Sequence, residues 1–334
     1  MPSPCTYVHN GRMAPAEVDL ETTRRAYSAA QLYYVQHRTM QAIASEFQTS
    51  RSTISRLLSY ARDAGIVSID LRNPDDAIES LATDLREAFG VRAVVVRSPD
   101  NLDQEERMRR VAVAAGHAIR EFVEPEVVIG VAWGSTIAQV SRHLSPKPLH
   151  GVVVVQLNGS GNHQTSGLAY ASEILGCFAE AFDGTAQQFP VPAFFDDPAT
   201  KEAVWRERST RRILELQERM NVVIFSVGAA DAVSPSHVYA AGYLDDHEVA
   251  ALRDAQVVGD VATVFYRADG SSEDLAFNQR GTGPALASLR RVPTRLCVVA
   301  DPGKAASLRG ALAARLATHL IIDESTARRI LQLA

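Results

Sequence analysis

Four short segments of this 334-residue chain set glycine near hydroxyl, amide, carboxyl or amino groups directly after an apolar, β-branched run. Trp133-Gly134-Ser135-Thr136 follows the run at 126–132 and opens an expected helix. Glycine lets a backbone approach a ligand closely, and a helix N-terminus presents free N–H groups with partial positive charge. An anion such as phosphate fits there; a plain strand-to-helix turn, its hydroxyls acting only as caps, is the alternative. Asn158-Gly159-Ser160-Gly161-Asn162-His163 follows 151–157 and suits a polyol or sugar. It lacks GxGxxG, which gives a dinucleotide little weight. Gly228-Ala229-Ala230-Asp231 puts another glycine at a strand end, after 221–227. Asp301-Pro302-Gly303-Lys304 follows 295–300 and places a lysine in the first turn of a helix, where the dipole disfavours a cation. Lys304 makes sense there facing a bound anion; a solvated surface lysine is the commoner case. The GxxxxGK[ST] spacing of a P-loop is missing.

A second group of chemistry-bearing residues lies over 39–62. Met40, Ile43, Ala44 and Phe47 recur at helical spacing, and Ile54, Leu57 and Leu58 do so again after a short gap. Thr49 or Ser50 can cap the second helix. Ala44 is small where the second helix of a helix-turn-helix crosses the first, and Ile54 and Leu57 fall where a recognition helix buries side chains. The remaining face bonds phosphates and base edges, which makes Thr49, Ser50, Arg51, Ser52, Thr53, Ser55 and Arg56 the candidate DNA contacts. From 22 to 62 there are six arginines against one acid, Glu46, a local charge of +5 in a chain of net −5. Such a basic patch on an acidic protein reads as a nucleic-acid footprint. The turn residue that is often glycine is Gln48, and an ordinary helical hairpin inside a larger core is the alternative.

These residues need elements to hold them. Residues 1–20 mix Pro, Gly, Asn and Ser without periodicity and read as a mobile arm. A helix from about Thr22 carries Ala26, Ala29, Ala30, Tyr33 and Tyr34 at packing spacing, so 21–74 is the expected helix-turn-helix domain. The alternation over 66–71 suggests the strand of a wing. An amphipathic helix with Ile78, Leu81, Leu85 and Phe89 makes 75–90 a linker helix and a candidate dimer contact. From 91 to 334, β-branched runs at 92–97, 126–132, 151–157, 221–227, 257–265, 295–300 and 318–322 alternate with helices at 103–122, 134–144, 167–182, 199–218, 245–254 and 303–315. Continuous Val-rich runs between helices imply a doubly wound, mostly parallel α/β sheet covered on both faces.

Function classes narrow further. The apolar runs are too short for a bilayer helix, no secretion signal is visible, and Cys5, Cys177 and Cys297 form no CxxC pair. A cytoplasmic protein without metal, cofactor or membrane partner is expected. The nine histidines are scattered, with neither HExxH nor GxSxG. Asp245-Asp246-His247 and Asp196-Asp197-Pro198 read as helix-opening caps.

In sequence order, TMQAIASEFQTSRSTISRLL, VIGVAWGSTIAQV, VVVVQLNG, FSVGAAD, AGYL, VVGDVATVFYRADG, FNQRGTGPAL and GKAASLRGAL…THLIIDESTARRIL resemble the SorC-type bacterial sugar-binding transcriptional regulators over about 25–334. Their effector domain is related to sugar-phosphate isomerases and deaminases. The resemblance implies an oligomeric repressor or activator, a dimer or tetramer, whose affinity for an operator in double-stranded DNA changes when a sugar, polyol or sugar phosphate binds. It also implies that Gly134, Ser135, Thr136 and Lys304 hold an effector phosphate and that Gln156, Asn158 and Gly159 lie in the sugar pocket. Gly228 and Asp231 complete the candidate set. The family's Gly-Gly pair before the lysine is replaced by Asp301-Pro302-Gly303, and an acid there opposes an anion, which leaves a free sugar or polyol open beside the sugar phosphate. One rival is a sugar-phosphate isomerase or deaminase with a regulatory DNA-binding domain. Such deaminases place a His soon after the glycine loop, where only Asp231 stands here, so no general acid–base pair is evident. The other rival is an α/β domain that serves assembly alone.

Overall fold

The computed structural model describes residues 20–67, 74–99, 101–230, 232 and 235–333. The chain divides between Arg72 and Asn73 into two units.

The first unit begins with α1 (Leu20–Ala30), which runs into a π-helical turn at Gln31–Val35, and continues with α2 (Met40–Glu46) and α3 (Arg51–Asp63). Hydroxyls start the two later helices: Thr39 accepts from the Ala42 N–H and Ser50 from the Thr53 N–H, each at 3.2 Å. Ala26, Ala29, Ala30, Ile43, Ala44, Ile54, Leu57, Leu58 and Ala61 form its core. The tight turn between α2 and α3 forces Gln48 to φ 49°, which costs a residue other than glycine roughly 1–2 kcal/mol. Ile66 and Val67 form a bend, and the rest of the expected wing strand lies outside the described residues, as does the arm before Leu20.

The second unit opens with α4 (Pro74–Phe89), β1 (Arg92–Val96), α5 (Gln104–Ile119), β2 (Val128–Val131) and α6 (Ser135–Ser141). Then come β3 (Val153–Gln156), α7 (Leu168–Phe182), β4 (Thr185–Gln187), α8 (Pro198–Trp205), α9 (Arg208–Glu218) and β5 (Val222–Phe225). After α10 (His237–Ala240) and α11 (Asp246–Asp254), β6 (Val257–Val261) and β7 (Val264–Arg267) form a hairpin. The chain ends with α12 (Phe277–Arg280), α13 (Leu286–Arg291), β8 (Thr294–Val299), α14 (Ala305–Ala313), β9 (His319–Asp323) and α15 (Glu324–Leu331).

Seven strands make one sheet in the order β1-β9-β8-β5-β2-β3-β4, every pairing parallel. Strands buried on both faces must be apolar throughout, which is why 128–131 and 222–225 contain no polar residue. One core places α4, α9, α13, α14 and α15 on one face; the other places α5, α6 and α7 on the opposite face. Leu81 and Leu85 of α4 are buried in the first of these, with Ile78 and Phe89 packed beside them. That apolar stripe therefore belongs to the second unit's own core and is not free for a contact between copies.

Two expectations need correction. The run 257–265 is not a strand of the parallel sheet but the start of the separate antiparallel pair β6–β7. Ala262 and Thr263 make its two-residue turn with φ of 47° and 66°, a primed-turn backbone normally announced by Gly or Asn. The helix expected over 199–218 is two helices, because Glu207 takes an extended conformation (φ −68°, ψ 139°) between α8 and α9.

Candidate functional site

Strand order reverses between β2 and β5: β3 and β4 lie on one side of β2, the remaining strands on the other. Ligands of doubly wound sheets sit beyond the carboxyl ends of the strands at such a point. There a polar cavity of about 50 Å³ opens. Gly134, Ser135 and Thr136 line it from the end of β2, Asn158 from β3, Ser226 and Gly228 from β5, His237 from α10, Asp260 and Thr263 from the hairpin, and Lys304 from the start of α14.

Two glycines are required for different reasons. Gly134 caps α6 at φ 147°, ψ 162°, a conformation essentially restricted to glycine, although a Cβ there would meet nothing within 4 Å. Gly228 is required by space, since a Cβ would fall 1.9 Å from Asp260 Oδ1. The Gly228 N–H donates to the Asp260 carbonyl at 2.8 Å, and this bridge hangs the β6–β7 hairpin on the end of β5.

Asp260 is the centre of the hairpin's contribution. It is 4 % exposed; Oδ2 accepts from the Thr263 N–H at 3.1 Å and Oδ1 has no partner. Burial pushes its carboxyl up to about 6. Thr263 is fully buried at φ 66°, an outlier for a β-branched residue, so the Asp260 bond helps hold a strained turn.

Lys304 is 5 % exposed, and burial lowers its pKa while the carboxylates of Asp301 and Asp260 oppose the shift. Among the described residues its ammonium makes no hydrogen bond. Asp301 is itself 1 % exposed: Oδ1 caps the short helical turn Pro302–Lys304 through the Gly303 N–H at 2.8 Å, and Oδ2 has no partner. Asn158 Oδ1 is likewise buried and unpartnered. Leaving such groups unbonded costs about 1–3 kcal/mol each, so the cavity favours a ligand that brings hydroxyls to the acceptors and an acceptor to the ammonium.

Not every sequence candidate reaches this cavity. Gln156 donates to the Asn158 carbonyl at 2.7 Å and accepts from the Phe189 N–H at 3.1 Å, so its amide braces the loop. Gly159 donates its N–H to Thr282 Oγ1 at 3.0 Å and accepts from Trp133 Nε1 at 2.9 Å. A Cβ on Gly159 would meet Val191 O and Pro192 O at 2.2 Å. These two residues position Asn158 rather than line the cavity. Asp231 lies outside the described residues. Over the cavity, the segment bearing His237 is tied to the Asn158–His163 loop. Trp133 stacks on Tyr243 at 5.1 Å, Tyr243 Oη donates to Ser160 O at 2.8 Å, and Asn162 Nδ2 donates to Ala241 O at 2.8 Å.

Sequence reasoning missed Asp260, His237 and Thr263. His237 is half-buried, and burial and then Lys304 push its pKa down. The cavity thus holds an imidazole and a carboxyl, a pair that the sequence reading did not find, because only tertiary structure brings 237 and 260 together. Among the described residues no group of three or more His, Cys, Asp or Glu could hold a metal ion, and no helix is long and apolar enough to cross a membrane.

On the first unit, Arg51, Ser52, Ser55 and Arg56 are exposed on one face of α3 while Ile54 and Leu57 are buried beneath. The Ser50 hydroxyl, besides its capping bond, lies 2.7 Å from Ser52 Oγ and 2.9 Å from Thr53 Oγ1. Thr49 and Thr53 are half-buried.

A family model described as "Putative sugar-binding domain" matches residues 76–332, the whole of the second unit's sheet. The chain belongs to the SorC-type family of sugar-binding transcriptional regulators. The deoxyribonucleoside regulator of Bacillus subtilis (strain 168) is 33 % identical over 316 residues, covering 94 % of this chain and 99 % of that one. A domain of a possible sugar-binding transcriptional regulator from Arthrobacter aurescens TC1 is 50 % identical with a TM-score of 0.73, covering 78 % of this chain and 100 % of that structure. The full-length sorbitol operon regulator SorC from Klebsiella pneumoniae shares the fold: TM-score 0.70 and 23 % identity, over 93 % of this chain and 99 % of that one. As a SorC-type regulator, the chain thus combines the family's sheet with an N-terminal helix-turn-helix.

Proposed function

We propose that this SorC-type regulator binds double-stranded operator DNA through α3 and that a small sugar, polyol or sugar phosphate at the β2/β5 crevice sets its operator affinity. The observation that carries the reading is Lys304, a cation buried beside the carboxyls of Asp260 and Asp301 at the strand-order reversal, with no hydrogen bond to its ammonium among the described residues. A buried charge without a hydrogen-bonded partner is costly, and a ligand oxygen would supply one. Ser135 and Thr136 would add hydroxyls and N–H groups, and Asp260 Oδ1 and Asn158 would accept from ligand hydroxyls. Gln156 and Gly159 would act indirectly, through the loop that presents Asn158.

Arg51, Ser52, Ser55 and Arg56 would make base-edge and phosphate contacts, Thr49, Ser50 and Thr53 would serve the helix start, and the protein would act in the cytoplasm. It would bind DNA as a dimer or tetramer, because two recognition helices on one face match half-sites about 34–36 Å apart. The covered stripe on α4 implies that copies meet through other surface. The names of its relatives favour a regulator over an enzyme, despite the His237–Asp260 pair. Operator binding by the full chain, titrated with sugars, polyols and their phosphates, tests the reading. A ligand should shift affinity, and Lys304→Ala should raise the ligand concentration the shift needs, most for a sugar phosphate, without abolishing DNA binding. No response to any of them, with no turnover either, would refute it.

A further inference from the structure

Outside the small crevice lies a larger cavity of about 650 Å³, and Ser135, Thr136 and Lys304 line both. Small-molecule pockets typically measure about 300–1,000 Å³. The 50 Å³ crevice is too small for a whole sugar, so a ligand seated on Lys304 must extend outward into this space. Two lining groups show that the space is built for a ligand. Asp301 is 1 % exposed with Oδ2 unpartnered, and Lys304 is 5 % exposed, its ammonium without a hydrogen bond among the described residues.

The charge of the wall restricts what that ligand carries. Carboxylates of Asp103, Glu105, Glu106 and Asp301 line it against two permanent cations, Arg109 and Lys304, and the imidazole of His143. Arg109 and Glu106 are committed to each other: Arg109 Nε and Nη2 donate to Glu106 at 2.6 and 2.8 Å, and Arg110 Nε donates to it at 2.8 Å, which leaves Asp103, Glu105 and Asp301 as the carboxylates that face Lys304 without an ion pair to arginine. The N-terminus of α5, which would otherwise attract an anion, carries three of those carboxylates on its capping residue and first turn. Asp103 Oδ1 accepts from the Glu106 N–H at 2.8 Å, and Glu105 is exposed at the rim.

We propose that this outer cavity is a subsite for an uncharged, hydroxyl-rich part of the effector and that it rejects a second phosphate. The inference rests on the effector reading above. Hydroxyls donate to the carboxylates, whereas a second phosphate there meets acceptors of its own sign, with Lys304 the one permanent cation of the lining that is not paired with a carboxylate by a hydrogen bond. A monophosphate can still be held at Lys304 with its neutral chain pointing out.

The test is calorimetric titration of the full chain with pentitols, hexitols, their monophosphates and their bisphosphates, using wild type, Glu105→Lys, Glu105→Gln and Lys304→Ala. In wild type a bisphosphate should bind at least tenfold more weakly than the monophosphate of the same polyol. Glu105→Lys should tighten the bisphosphate at least fivefold while weakening the free polyol, and Glu105→Gln should move both by less. A loss of folding would lower all ligands together; this opposite-signed pattern would not arise that way. Equal affinity of wild type for monophosphate and bisphosphate, or a gap unmoved by Glu105→Lys, overturns the subsite. Monophosphate binding indifferent to Lys304→Ala, or no binding by any ligand, defeats the effector site itself and the subsite with it.

Discussion

Gly228 and Asp260 face each other across a single antiparallel bridge, and the hydrogen atom that serves as the Gly228 side chain is what leaves room for Asp260 Oδ1. Backbone of one strand and carboxylate of the next hairpin thus fix one another, with Ser307 Oγ adding a donated bond to Gly228 O at 2.7 Å. Gly228→Ala should displace Asp260 and cost about 1–3 kcal/mol, as overpacking does. Effector affinity should fall by more than tenfold while operator binding without effector persists. Calorimetry and mobility-shift assays would check this; an unaltered effector affinity would mean that Asp260 takes no part.

The same carboxyl makes stability depend on pH. Folded Asp260 titrates at about 6 against an ordinary value of 3.8, because burial penalises its charge. Between those values the folded state binds more protons than the unfolded one. This contribution therefore makes stability fall as pH rises from about 4 to 6 and is level above, a loss of about 3 kcal/mol at most. Asp260→Asn removes the titration, so the mutant should gain on wild type between pH 4.5 and pH 7.5. Urea midpoints measured at both values would show it; parallel behaviour would place the group in a more polar setting than described.

How much was legible follows from which signals are local. The central strands could be read because burial on both faces demands runs such as Val153-Val154-Val155. The edge strand Thr185–Gln187 is short and polar and offers no such run. The hairpin was hidden because Ala262 and Thr263 occupy a turn without the residues that normally mark one. In the site, Gly134, Ser135, Thr136 and Lys304 stood out as glycine, hydroxyl and charge at strand ends. Asp260 sits inside a β-branched run, and His237 stands nine residues beyond Gly228. Their place in the cavity depends on contacts that no spacing encodes. Gln156 and Gly159 are next to the site in sequence but brace its loop.

The first unit separates recognition from folding along one helix. Ile54 has no exposed surface, so Ile54→Ala should cost about 2–5 kcal/mol. Arg51 and Arg56 are exposed, and replacing either by Ala should leave stability within about 0.5 kcal/mol while weakening operator binding by about 1–3 kcal/mol if that residue reads a base. Thermal melts and operator titrations at fixed salt would separate the two classes. Loss of both arginines without loss of affinity would exclude this face of α3.

Lys304 is the residue on which phosphorylated and free ligands should part company. A hydrogen bond to a charged partner contributes about 1.5–3 kcal/mol, so Lys304→Ala should weaken a sugar phosphate by roughly ten- to a hundredfold. A neutral polyol should lose much less, because it brings no charge to the ammonium. Stability should change with pH as well. The mutation removes a buried cation, which is favourable, but it also leaves Asp260 without the nearby positive charge that lowers its pKa. Without Lys304, which lowers it, the Asp260 pKa should rise further, so the mutant should lose stability toward alkaline pH and approach wild type near pH 5, where Asp260 is protonated. Ligand titrations paired with urea unfolding at pH 5 and pH 8 would read both effects. If the phosphate and the polyol weaken equally, Lys304 recognises a neutral oxygen and the site is a free-sugar sensor.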